Sequence, residues 1–309
     1  MLKYFFISNC ILMFFKNILQ INNLETKQVS AFKNIQIQSL RSIGVAALRI
    51  EALNVMTTMQ VAALSSQQLS AIGSAFAQNN NTDTNCHDDT ININSFTVTQ
   101  FQSISWRAIS GLTSTQASDI TTEQMASLSV TQLRALTTAV TQALSSDQMR
   151  SLSTAQINSL TTDQLGNLSS DQLISLTTTQ FQSISKLGMV ALNTHQVSRL
   201  LSSQVAALSI IQLQAIETVD IASLTDENIK AITTSNIAAL KATQIKALTS
   251  TSVAALQTMQ VVALGEAGIA VFNADQIASL SGEQVASLTT TQTAKLSLMQ
   301  ITALGSAQI

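Results

Sequence analysis

Thr161-Thr-Asp-Gln-Leu-Gly-Asn-Leu168 is followed at once by Ser169-Ser-Asp-Gln-Leu-Ile-Ser-Leu176, and the pattern returns as Ser281-Gly-Glu-Gln-Val-Ala-Ser-Leu288. The unit is eight residues long. Let position 8 fall on residue numbers divisible by eight. From Phe96 to Leu304 all 27 such residues are then Leu, Ile or Phe, with no insertion. The same frame holds earlier, at Leu24, Phe32, Leu40, Leu48, Met56, Leu64 and Ile72. Position 5 is nearly as regular (Met125, Leu133, Ile157, Phe181, Val205, Ile245, Ile277, Ile301), with Ala117, Thr141 and Thr293 as departures. A period this short and strict implies stacked, near-identical structural units.

Each octad predicts a short capped helix. Position 1 is Ser or Thr in 19 of the 27 octads that begin between Thr97 and Gly305, and position 4 is Gln in 19 of 27 from Gln100 to Gln308. A hydroxyl followed three residues later by Gln is the capping box, in which each side chain satisfies an otherwise orphaned backbone N–H. The preceding position 8 and the following position 5 supply the apolar pair of a hydrophobic staple. Charge placement agrees. Seven of the 12 acidic residues after Thr97 sit at position 3 (Glu123, Asp147, Asp163, Asp171, Glu227, Asp275, Glu283). Six of the nine basic ones sit at positions 6 or 7 (Arg134, Arg150, Lys230, Lys246, Arg199, Lys295). Acids in a first turn and bases in a last turn suit the helix dipole.

Two rival folds fit less well. In one continuous helix the apolar stripe would rotate by roughly 80° per octad, and paired Ser/Thr would recur in its interior, where they are poor formers. In a β-solenoid, positions 5 and 8 have opposite parity, so a regular strand would point them to opposite faces. The expectation is therefore an all-α solenoid of short capped helices, one per octad. A single octad is not self-sufficient. Two aliphatic side chains contribute about 1.5–3 kcal/mol each on burial, against about 1–2 kcal/mol per residue to order the backbone. Neighbours must pack, and small residues at position 7 (Ala207, Ala239, Ala255, Ser279) allow them to approach.

Along the chain, residues 1–20 stand outside the repeat. Lys3 leads an apolar run, Tyr4 to Phe15, which closes at Lys16. This reads as a secretory signal or anchor, or as a helix capping the array. Residues 21–77 are degenerate octads whose position 1 is Glu25, Lys33, Arg41 and Arg49 before Thr57 and Ser65 restore the pattern; terminal repeats are expected to be atypical. Residues 78–95 form a polar Asn/Asp-rich loop that replaces two octads and leaves the frame intact. Its Asp83, Cys86, His87, Asp88 and Asp89 gather oxygen, nitrogen and sulfur donors, yet their spacing matches no EF-hand or zinc pattern, so they are weak metal candidates. Residues 96–309 are the regular array. The chain stops at Gln308-Ile309, halfway through an octad and without a polar cap, which predicts a piece of a longer protein.

A longer period lies inside the array. Gln100-Phe-Gln-Ser-Ile-Ser, Gln180-Phe-Gln-Ser-Ile-Ser and, more loosely, Gln260-Val-Val-Ala-Leu-Gly recur at 80-residue intervals. In each the next position 4 loses its Gln, at Ala108, Gly188 and Gly268, with Gly44 as an earlier copy. Duplication of ten-octad blocks explains this, and so does a solenoid in which ten octads make a whole number of turns.

The octads resemble the Leu-Thr-Thr-x-Gln-Ile/Val-x-Ala-Leu tracts of large bacterial octapeptide-repeat proteins, some of surface or secreted type. The resemblance covers residues 21–309 apart from the loop and brings no functional residues with it. It implies a secreted or cell-surface role. The composition adds exclusions. Charged residues are 10% of the chain, against a usual ~25%, so the surface is expected to be mostly Ser, Thr, Gln and Asn, polar but uncharged. A net charge of −2 lacks the basic stripe of a nucleic-acid binder, and a membrane is expected only through residues 1–20.

No Ser-His-Asp spacing, phosphate loop or H-E-x-x-H helix is present, which predicts no catalytic site, no cofactor and a non-enzymatic scaffold. His195, at position 3, reads as a solvated helix residue, and the adjacent Trp106 and Arg107 as local packing. Cys10 and Cys86 are too few for a disulfide framework. Two functions follow. One is a spacer or display segment within a larger surface protein. The other is a protein- or glycan-binding solenoid that recognises its ligand through the variable positions 2, 3 and 6.

Overall fold

The computed structural model describes residues 21, 24–46, 48, 50–72, 93–306 and 308. Among them are 32 α-helices of four to six residues and one 3-10 turn, Ile93–Ser95, with no strand. The helices begin at position 2 and are separated by corners at positions 8 and 1. Leu176 (φ −62°, ψ 136°) closes one helix and Thr177 (φ −61°, ψ 158°) opens the next, both in extended backbone. Two extended residues in a row cannot continue a helix, so the chain turns at every octad. Gly265 is an exception. It has φ +66°, which a Gly adopts without the penalty a Cβ would add, while Leu264 before it stays helical.

The capping box forms as the sequence predicts. Thr161 accepts from the backbone N–H of Gln164 at 3.1 Å, and Gln164 Oε1 accepts from the N–H of Thr161 at 3.0 Å. Asn193 caps in the same way through its Oδ1, and where position 1 makes no cap bond the glutamine half persists alone: the N–H of Leu201 donates to Gln204 Oε1 at 3.1 Å, and that of Gln257 to Gln260 Oε1 at 2.7 Å. Positions 5 and 8 form the core. Leu165, Leu173, Val205 and Ile229 are fully buried, as are Met125 and Leu133.

By its contacts the chain falls into two units, residues 1–156 and 157–309. In each, a helix packs on the one three octads later. In the first, Asn34–Ser39 lies on Thr58–Ala62, and Val98–Ser103 on Thr122–Ser127; in the second, Thr162–Gly166 lies on Lys186–Val190, and Ser202–Ala206 on Asp226–Ala231. Each unit is thus a solenoid.

The turns are clasped by the same glutamines that cap the helices. The Nε2 of Gln68 donates to the carbonyls of Ile37 (2.7 Å) and Leu40 (2.8 Å), 31 and 28 residues earlier. In the second unit Gln196 bonds Leu165 and Leu168 (2.9 and 2.8 Å), and Gln276 bonds Ile245 and Leu248 (3.1 and 2.7 Å), at the same separations. The carbonyls at position 5 already accept the N–H of position 8 in their own octad, as Leu165 does from Leu168 at 3.2 Å, and take the amide as a second donor, while those at position 8 lie at the corner beyond the helix end. A buried Gln therefore satisfies an orphan N–H above and donates to two carbonyls below, which is why it is nearly inaccessible (1% exposed for Gln196) without being costly.

The ladder also shows how the stack passes the interval 73–92. Gln100 bonds Leu53 and Met56, and Gln116 bonds Leu69 and Ile72, at separations of 47 and 44 residues. These exceed the usual pair by sixteen, two whole octads, and Gln124 returns to 31 and 28. The frame survives because the register of the stack survives.

Side-chain contacts between turns in the second unit span 25 residues (Gln182 to Ala207), 26 (Ser202 to Asn228) and 27 (Lys241 to Gln214). Gly188 and Gly268 share a packing role. A Cβ on Gly188 would lie 2.5 Å from Leu165 Cδ1, and one on Gly268 3.4 Å from Ile245 Cδ1, in both cases a side chain 23 residues earlier.

Candidate functional surface

With positions 4, 5 and 8 turned inward, what each octad offers to solvent is fixed. Positions 1, 2, 3 and 6 are exposed through most of the array, and position 7 is half-buried. The expected recognition positions 2, 3 and 6 are therefore on the surface. Most hold Ser, Thr or Ala, and large apolar side chains appear there at intervals: Ile35, Met59, Trp106, Val130, Leu187, Ile211 and Val219.

The charged residues on this surface stay local. Glu123, in a first helical turn, has its carboxyl pKa lowered by its backbone N–H and then by the hydroxyls of Thr121 and Thr122. Lys230 is raised by its hydrogen bond and charge contact with Glu227, at 2.8 Å. Arg199 to Asp171 and Lys295 to Glu266 are longer pairs at 3.9 Å. Exposed pairs of this kind contribute little. His195 is exposed on the helix Thr194–Ser198, as expected of a solvated residue. Trp106 is 46% exposed, and its partner is Arg107, whose guanidinium carbon lies 4.6 Å from the ring centroid. Its packing is thus onto the neighbouring cation at the surface.

The weak metal candidates Asp83, Cys86, His87, Asp88 and Asp89 lie outside the described residues, as do Cys10 and residues 1–20. Among the described residues no group of three or more His, Cys, Asp or Glu gathers as a metal site would need. No helix among them is long and apolar enough to cross a membrane.

One polar site was not evident from sequence. Asp220 occupies position 4 and is 4% exposed. Its Oδ1 accepts from Thr194 Oγ1 at 2.7 Å, but a carboxylate has no N–H for a carbonyl 28 residues back. Asn228, one octad later, shows what is missing. It accepts from Ser202 Oγ at 3.3 Å across the same 26 residues, and its Nδ2 donates to the Leu200 carbonyl at 3.0 Å. Asp220→Asn is accordingly expected to keep the Thr194 contact and add a bond to Leu192. The gain should be about 1 kcal/mol, read as a higher denaturation midpoint; an unchanged or lower midpoint would refute this.

Four stretches of the chain, residues 130–162, 146–178, 213–250 and 253–290, match the model of the ALTTAQ repeat. Those six letters correspond to positions 7, 8, 1, 2, 3 and 4 of the octad, as in Ser151-Leu-Ser-Thr-Ala-Gln156. The chain is a repeat protein, similar to the ALTTAQ repeat over those stretches, and the all-helical repeat fits a non-enzymatic scaffold. No curated protein matches it.

Proposed function

We propose that this repeat scaffold serves as a spacer or display segment within a larger bacterial surface or secreted protein. One observation carries the reading: the residues that recur from octad to octad are spent on the stack itself. The Gln clasps and the aliphatic residues fill the core and the hydroxyls cap the helices, so what else faces outward is mostly short and uncharged. Such a unit can be added or removed in blocks of eight without changing what surrounds it.

Placing the full chain between a donor and an acceptor fluorescent domain tests this. Deleting residues 193–272, ten octads that begin at position 1 and end at position 8, keeps the register. Energy transfer is expected to rise as the spacer shortens, while helix content per residue stays constant. Transfer that does not depend on octad number would contradict a spacer.

A second reading, recognition through positions 2, 3 and 6, is favoured by the exposed Leu187 (70%), Ile211 (63%) and Val219 (60%), all at position 3 of the second unit. A partner whose binding is lost on converting Leu187 and Ile211 to Ser would favour it.

A further inference from the structure

Within the first unit the helices Ser42–Ala46, Ser66–Ala71, Trp106–Ile109 and Val130–Ala135 pack one on the next as a row. Their octads, residues 41–48, 65–72, 105–112 and 129–136, contain Arg41, Arg107 and Arg134 and no Asp or Glu. All three arginines are exposed. Among them stand three exposed apolar side chains, Ile43 (47%), Trp106 (46%) and Val130 (41%), at positions 2 and 3. The adjoining row, from Asn34–Ser39 through Val98–Ser103 to Ser146–Ser151, instead sets Glu123 and Asp147 against Lys33 and Arg150.

We propose that this arginine row docks on the headgroup layer of an anionic lipid bilayer. Three cations without a carboxylate among them suit a plane of phosphates, to which each basic residue is attracted independently. Indole is at home at the boundary between headgroup and acyl chain, and Ile43 and Val130 add apolar area beside it. A neutral glycan fits less well, because Arg107 already covers one face of the Trp106 ring and the row has no carboxylate to accept from sugar hydroxyls. A nucleic acid fits less well too, because the exposed Ile43 and Val130 beside the arginines suit an acyl boundary and have no counterpart in a phosphate backbone. Sequence charge points the same way. Residues 21–50 hold four Lys or Arg (Lys27, Lys33, Arg41, Arg49) and one acid, Glu25. Membrane contact through the stack itself is separate from any contact by residues 1–20.

Trp106 is the one tryptophan of the chain, so its emission reports this row alone. The full chain is titrated with vesicles of phosphatidylcholine, with or without phosphatidylglycerol, whose acyl chains are brominated near the headgroup. Blue-shifted and quenched emission is expected on the anionic vesicles and not on the neutral ones. The double substitution Arg41→Gln with Arg134→Gln leaves Trp106 and Arg107 in place, and should raise the half-saturating lipid concentration about thirtyfold with unchanged circular dichroism. Three results would overturn the proposal. One is vesicle binding with unaltered Trp106 emission, which would assign attachment to residues 1–20. Another is full binding by the double variant. The third is an emission change on heparin or RNA but none on vesicles.

Discussion

Gln196→Glu is expected to cost the second unit about 3–5 kcal/mol at neutral pH, the penalty typical of a buried charge left without its partner. The substitution is nearly isosteric and keeps the capping half of the residue, because a carboxylate oxygen still accepts from the N–H of Asn193, now at 2.9 Å. The clasping half is lost. The Nε2 that donates to Leu165 and Leu168 becomes an oxygen facing two carbonyl oxygens in a site that is 1% exposed. In that setting the introduced carboxyl binds its proton more tightly folded than unfolded. The deficit is therefore smallest below the ordinary carboxylate range, about pH 4, and grows as pH rises through the raised folded value. Chemical denaturation at two pH values reads both effects. Gln67→Glu, at an exposed position 3, should leave stability within about 0.5 kcal/mol at either pH.

Gly111→Ala should have the next largest effect, in the first unit. Gly111 sits at position 7, where the turn formed by Trp106–Ile109 meets the start of Ser66–Ala71. A Cβ there would overlap the Ser66 carbonyl oxygen and lie 2.6 Å from Ser66 Cβ and 2.8 Å from its carbonyl carbon. Those atoms are backbone or next to it and have no rotamer to escape into, so the two turns must separate. Overpacking of this kind costs about 1–3 kcal/mol, and here it also pulls on the clasps from Gln116 to Leu69 and Ile72 (2.9 and 2.6 Å). Gly305→Ala, whose Cβ would meet only Gln308 Oε1 at 3.7 Å, is the matched control and should be near neutral. Equal thermal midpoints for the two variants would show that the close approach at Gly111 is not a constraint.

Much of the local structure was legible because it depends on short-range chemistry. The hydroxyl at position 1, the Gln three residues on and the aliphatic residues at 5 and 8 specify a helix start, a helix stop and a buried face within eight residues, and the helices begin where the caps place them. The second role of the glutamine was there to be read but was missed. A capping box accepts Glu as readily as Gln, yet position 4 is Gln at 19 of 27 octads and Glu at none. A buried site that must donate to two carbonyls has no place for a carboxylate, which accounts for that exclusion. Which octad lies beneath which was not legible. It follows from the corner angles at positions 8 and 1, such as those of Leu176 and Thr177, and the residue pattern restricts those to extended backbone without fixing their values. What Asp220 lacks at position 4 is visible only from its burial and from the neighbouring Asn228, whose amide donates where a carboxylate cannot. The surface row of Arg41, Trp106, Arg107 and Arg134 was hidden for the same reason: its members are up to 93 residues apart in sequence and meet only through the stacking of turns.

Hydrogen exchange of the glutamine side-chain amides, followed by NMR on the isotopically labelled chain, examines the clasp itself. The Nε2 protons of Gln196, Gln204 and Gln276 should exchange far more slowly than those of the exposed Gln67, and should show close contacts to residues 28 and 31 positions earlier. Exchange as fast as that of Gln67, or contacts at any other separation, would mean that the turns are not held together by these amides.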